Sequence, residues 1–151
     1  MDETEKTVQP EKINGFTPKE IYALYSFLNV YEQKEIKKHN ETDLIKSSQT
    51  LEELKNIITS FNADEKNKYE LAQIEIKNLN DEFYYTHHKS KILGVLYHLR
   101  NSIAHGKICK ENDIVRIEDF EPKEENPQHT AKGKILYTTL EKIMRVATNI
   151  Q

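Results

Sequence analysis

The sequence predicts an all-α protein, a bundle of four to five helices interrupted by one short β-hairpin before the last helix. Three observations predict it. Apolar residues recur at helical spacing in five separate stretches of the 151 residues. Only four glycines and four prolines punctuate the chain, which favours long helices over a many-stranded sheet. Threonine and glutamate stand three apart, as a capping box requires, before two of the apolar stretches. At this length one domain with a real core is expected.

Residues 1–15 are polar, contain Pro10 and show no period, so they read as a mobile tail. Residues 16–151 then form the helical domain. Thr17, Pro18 and Glu20 start the first helix as cap, first-turn proline and capping-box partner. Ile21, Leu24, Phe27, Leu28 and Tyr31 carry it to about residue 38. Residues 39–49 are a polar loop. Thr50 and Glu53 open a second helix through Leu51, Leu54, Ile57, Ile58 and Phe61, which residues 62–64 break. Tyr69, Leu71, Ile74, Ile76 and Leu79 predict a third helix ending near residue 80. Phe83, Tyr84 and Tyr85 form an aromatic cluster whose local structure the pattern leaves open.

The strongest helix runs over residues 89–105, with Gly106 placed as its left-handed terminator. Ile108-Cys109 and residues 114–117 flank Asn112-Asp113, a hairpin signal. Residues 121–132 are a polar loop, and residues 134–149 a last amphipathic helix carrying Ile135, Leu136, Leu140, Ile143, Met144 and Val146.

Charge narrows the function. With 22 basic and 25 acidic residues the net charge is -3. That argues against a broad, sequence-blind coat on nucleic acid and leaves room for a small phosphate site. The single cysteine, Cys109, precludes a disulfide within the chain, so a reducing cytoplasm is expected. The acidic, polar N-terminus carries no apolar segment of a secretory signal. No apolar run is long enough to span a membrane.

The chemistry concentrates in Leu99-Arg100-Asn101-Ser102-Ile103-Ala104-His105-Gly106. A permanent cation, an amide and an imidazole stand together there. Such groups hold and orient a phosphate and move protons at neutral pH. On a helical wheel of about 100° per residue, Ile92, Leu96, Leu99 and Ile103 share a stripe of roughly 60°, with Val95 beside it. This is the core face. Gly94, Tyr97, His98, Asn101 and His105 lie opposite. Arg100 sits on the flank, about 140° from His105. The two therefore diverge within one chain, and a second copy of the helix packed on this face brings two Arg–His sets together. Gly94 fits such a close approach, because it costs roughly 1 kcal/mol in a helix interior relative to alanine. A plainer reading also exists: arginine and histidine suit the negative end of a helix dipole, and glycine is an ordinary stop.

Other groups carry weaker signals. Adjacent His87 and His88 point apart on a helix, and neither they nor His98 and Cys109 show zinc-type spacing, so no metal is expected. Cys109 reads as a small apolar strand residue. Residues 118–119 and 121–125 read as a solvated strand end and loop. Tyr97 is placed to stack a base, and Lys89, Lys91, Lys107 and Lys110 add local positive potential.

Residues 100–105 resemble the R-polar-x-x-x-H motif of the HEPN superfamily, set between Leu96-Tyr97-His98-Leu99 and Gly106. The resemblance covers residues 16–151 and implies a HEPN-like helical bundle. It implies a metal-independent endoribonuclease without a cofactor, of the kind found among toxins and phage-defence proteins. It also implies a homodimer with a composite active site, with an antitoxin or other regulatory protein as a possible partner. Carried over by position, Arg100 binds and polarises the scissile phosphate. His105 takes the 2′-hydroxyl proton or protonates the leaving 5′-oxygen. Asn101 orients His105 or donates to phosphate. Tyr97, His98 and Lys107 contact RNA. The products are a 2′,3′-cyclic phosphate and a 5′-hydroxyl. The alternative implied by the same fold is a catalytically silent module that binds RNA, a nucleotide or a protein.

Overall fold

The structure is a computed structural model and describes residues 12–38, 48–75, 82–86, 90–121, 125 and 127–148. The order of elements is α1 (Pro18–Gln33), a 3-10 turn (Ile36–Lys38), α2 (Ser48–Thr59), β1 (Asn62–Glu65), α3 (Lys68–Gln73) and β2 (Glu82–Tyr85). The motif helix α4 (Lys91–Ala104), β3 (Ile108–Glu111), β4 (Ile114–Phe120), β5 (His129–Leu136) and α5 (Tyr137–Ala147) follow. No helix among the described residues is long and apolar enough to cross a membrane.

The all-α expectation fails. The five strands form one mixed sheet in the order β1-β2-β5-β4-β3. Among the described residues only β1 and β2 run parallel; the remaining pairs are antiparallel. The hairpin around Asn112-Asp113 does form, as β3 and β4, with Asn112 at φ 57. Asparagine tolerates that left-handed conformation. It is the edge of this sheet rather than an excursion from a bundle.

Three strands were disguised in the sequence. β1 is the polar stretch read as a helix break, and only its Ala63 is buried. β2 is the aromatic cluster. Phe83 and Tyr85 point inward while Glu82 and Tyr84 alternate outward, the period of a strand. β5 occupies the expected loop and the start of the expected last helix. Ala131, Gly133 and Ile135 face the core, and two of them are too small to register as apolar positions. The small residue has a reason: a Cβ at Gly133 would lie 2.5 Å from Cδ2 of Phe83 on the paired strand.

Helix ends differ for local reasons as well. The capping box of Thr17 and Glu20 is present. α1 stops at Gln33, where Lys34 and Glu35 turn the chain into the 3-10 turn. α3 stops at Gln73 because Ile74 is extended, at ψ 126. Ser90 caps α4 by accepting from the Leu93 N–H. α5 begins at Tyr137, after β5, and its first N–H donates to the Asp113 carbonyl of the hairpin turn. Of the segment read as a tail, residues 12–15 enter a turn docked on β3. The Lys110 N–H donates to the Asn14 carbonyl at 2.8 Å, and Phe16 is buried. The Thr50 side chain of the second capping box, His87, His88 and residues 76–80 lie outside the described residues.

One core holds these elements together. Leu24, Phe27 and Tyr31 of α1, Leu54 and Ile58 of α2, the apolar stripe of α4, and Leu140, Ile143 and Met144 of α5 share a cluster with the sheet residues Phe83, Val115, Ile117 and Ile135. Leu71 of α3 is buried outside that cluster. There, outward-facing Lys132 of β5 donates to the Ile74 carbonyl.

Candidate active site at the end of α4

The expected core stripe of α4 is in place: Ile92, Val95, Leu96, Leu99 and Ile103 are all buried. The opposite face is buried too. Gly94, His98, Asn101 and Ser102 are buried, the last three against residues of β4 in the chain's own sheet. That corrects the expectation that a second copy packs on this face. A wheel counts polarity within one helix, and a polar face reads as free surface unless its partner is known.

The partner is Asp119, which the sequence reading left in solvent. Alternation along β4 turns Val115, Ile117 and Asp119 inward together. Asp119 is 3% exposed and His98 2%. His98 Nδ1 lies 2.8 Å from Asp119 Oδ2, and its Nε2 lies 3.1 Å from the Thr86 carbonyl oxygen. Asp119 Oδ2 also accepts from Asn101 Nδ2 at 3.0 Å, and Oδ1 from the Phe120 N–H. The Ser102 hydroxyl shares its one hydrogen between the carbonyl oxygens of His98 and Glu118, at 2.8 and 2.7 Å. No buried side-chain nitrogen or oxygen among the described residues is left without a hydrogen bond. His98 is thus a structural support for Asn101, with its ring turned away from solvent.

The chain of contacts continues outward. Asn101 Oδ1 accepts from an Nη of Arg100 at 2.9 Å. Arg100 Nε donates to Oε1 of Glu32, at the end of α1, at 2.5 Å. Two edges of the guanidinium are fixed, and its other Nη has no partner among the described residues. Arg100 and Asn101 line a pocket of about 340 Å³ with Tyr31, Glu32, Glu35, Lys37 and Tyr97. Burial pushes the Tyr31 phenol up; Tyr97 adds to this and Arg100 opposes it. The phenol therefore stays protonated at neutral pH. Lys37 Nζ sits 5.5 Å over the Tyr97 ring.

His105 stands elsewhere. It is the exposed C-cap of α4 and does not line this pocket. Gly106, at φ +67, ends the helix there as expected. The Gly106 N–H donates to the Ile103 carbonyl and the Lys107 N–H to that of Ser102, the paired bonds of a Schellman stop. Lys107 is exposed, with its Nζ 5.8 Å over the Phe120 ring. Tyr97 and Arg100 are therefore brought together, His98 lies beneath them, and His105 and Lys107 sit past the helix end. Sequence reasoning missed Glu32, Tyr31, Lys37 and Asp119. Only Asp119 carried a signal, the period-two burial of β4. A second pocket on the outward face of the sheet, lined by Arg116, Glu118, His129, Lys132 and Lys134, holds none of the motif residues.

Helix, motif and glycine stop define a HEPN-type chain. The family HEPN pEK499 p136 matches residues 6–151, and the protein belongs to it. HEPN domains are often ribonucleases, commonly bind RNA and often dimerise. No curated protein and no solved structure matches the chain.

Proposed function

We propose that this protein is a metal-independent endoribonuclease that cleaves RNA by attack of the 2′-hydroxyl on the adjacent phosphate. The ends are a 2′,3′-cyclic phosphate and a 5′-hydroxyl, and the setting is a toxin–antitoxin or phage-defence system. The observation that carries this reading is Arg100, whose guanidinium is fixed by Asn101 and Glu32 at the wall of a pocket and keeps donors to spare. A planar fork held in this way suits a phosphate oxygen and the charge that develops on it. The nucleophile belongs to the RNA, and the arginine meets the charge, so the reaction needs no Lewis acid. Since His105 lies outside the Arg100 pocket of its own chain, the active unit is a homodimer in which the imidazole arrives from the second copy. Tyr97 offers a ring to a base at the pocket wall.

The separation of Arg100 from His105 also favours a second reading, a silent module that binds RNA through Arg100 without cutting it. One experiment divides the two. Purified protein is incubated with mixed RNAs in EDTA, beside an all-deoxy substrate of the same sequence. Cleavage of RNA alone, with cyclic-phosphate ends, is the expected result. RNA retention without cleavage supports the silent module, and activity that appears only on adding a divalent cation removes the proposed mechanism.

A further inference from the structure

The pocket around Arg100 holds the guanidinium cation and, among the described residues, no imidazole. It does hold a carboxylate in direct contact with that cation. Glu32 comes from the last turn of α1, 68 positions before Arg100 in the chain. Its side chain is 53% exposed, contacts the guanidinium and lines the pocket. Resting on the ribonuclease reading, we propose that Glu32 is the general base of the Arg100 site, acting within the same chain. His105 of the second copy then serves as the acid.

Several features of the site converge on Glu32. A general base must lie within about 2.6–3.2 Å of the oxygen whose proton it removes, or reach it through one water. A group bound to the same guanidinium as the phosphate is held beside that phosphate. A carboxylate oxygen is a proton acceptor by its chemistry. Tyr31 cannot take this role, since burial keeps its phenol protonated. The Asn101 amide is committed on both ends, to Arg100 and to Asp119. The contact uses only the Nε edge of Arg100. One Nη is bonded to Asn101 and the other is left for the phosphate, so base and substrate do not compete for one site.

The step balances. The 2′-hydroxyl proton passes to a carboxylate oxygen of Glu32 while the 2′-oxygen forms its bond to phosphorus. The bond from phosphorus to the 5′-oxygen breaks, and that oxygen takes a proton from the imidazolium of His105. Arg100 neutralises the phosphoryl oxygens throughout.

Glu32→Gln keeps the acceptor for Arg100 Nε and removes the base. It is tested beside His105→Ala on two RNAs, one natural and one with sulfur in place of the 5′-bridging oxygen at the cut. Sulfur leaves without a proton, so this substrate bypasses the acid and still needs the base. The expected result is a loss of about 10²–10⁴-fold for Glu32→Gln on both substrates. His105→Ala is expected to be impaired on the natural RNA and to recover on the sulfur substrate. Glu32→Gln cleaving natural RNA at or above the wild-type rate overturns the proposal, and so does its recovery on the sulfur substrate. A wild-type protein that cleaves neither RNA removes the ribonuclease reading and the base with it. Wild-type cleavage with an unimpaired Glu32→Gln removes the base alone.

Discussion

Arg100→Ala is expected to lower RNA cleavage by at least about 10²–10³-fold, the range for removing one preorganised donor from a developing oxyanion. The fold should stay intact. The side chain is partly exposed and lies off the apolar stripe, so no core cavity opens. Its contact with Glu32 is a surface ion pair, which contributes only about 0–1 kcal/mol to stability. Arg100→Lys should lose most of the activity too. A single ammonium cannot hold Asn101 Oδ1, Glu32 Oε1 and a phosphate oxygen in one plane, which the guanidinium fork does. Steady-state cleavage beside far-ultraviolet circular dichroism checks both variants. A folded Arg100→Ala protein that cleaves as fast as wild type contradicts the assigned site.

Asp119→Ala is expected to cost about 3–5 kcal/mol of stability, because it breaks a buried pair and leaves the other partner in place. Three donors lose their acceptor at once: His98 Nδ1, Asn101 Nδ2 and the Phe120 N–H. A domain of this size loses roughly 2–4 °C of melting temperature per kcal/mol, so the transition should fall by about 10 °C. Urea titration checks the free energy directly. The same change releases Asn101, and with it one of the two contacts that fix Arg100. Asp119→Ala protein that remains folded at low temperature should therefore also cleave more slowly. A loss of stability below about 1 kcal/mol would mean that the network contributes no more than an exposed pair.

Sequence and structure agree where the signal is local. The Thr17 and Glu20 box, the stripe from Ile92 to Ile103 and the Gly106 stop each involve residues within a few positions of one another, and each formed as expected. The sheet was illegible for a physical reason. β1 is almost wholly polar, and β5 faces the core through the small residues Ala131 and Gly133, the latter because Phe83 of the paired strand fills the space. Ile135 and Leu136 also continue a helical pattern into α5, which hid the strand that precedes it. The site divides along the same line. Arg100 and Asn101 are adjacent and were readable as a pair. Glu32 and Asp119 reach them from 68 and 18 positions away, a distance no wheel or motif spans.

The central claim is that Arg100 of one chain and His105 of another act on the same phosphate. Mixing inactive Arg100→Ala with inactive His105→Ala, after unfolding and refolding together, tests it most directly. Each mixed dimer would carry one intact site, built from the arginine of one chain and the histidine of the other. Random pairing makes half of the dimers mixed, so cleavage should return to about a quarter of the wild-type rate, with 2′,3′-cyclic phosphate ends. A mixture as inactive as its two components, beside an active wild type treated in the same way, would contradict the composite site.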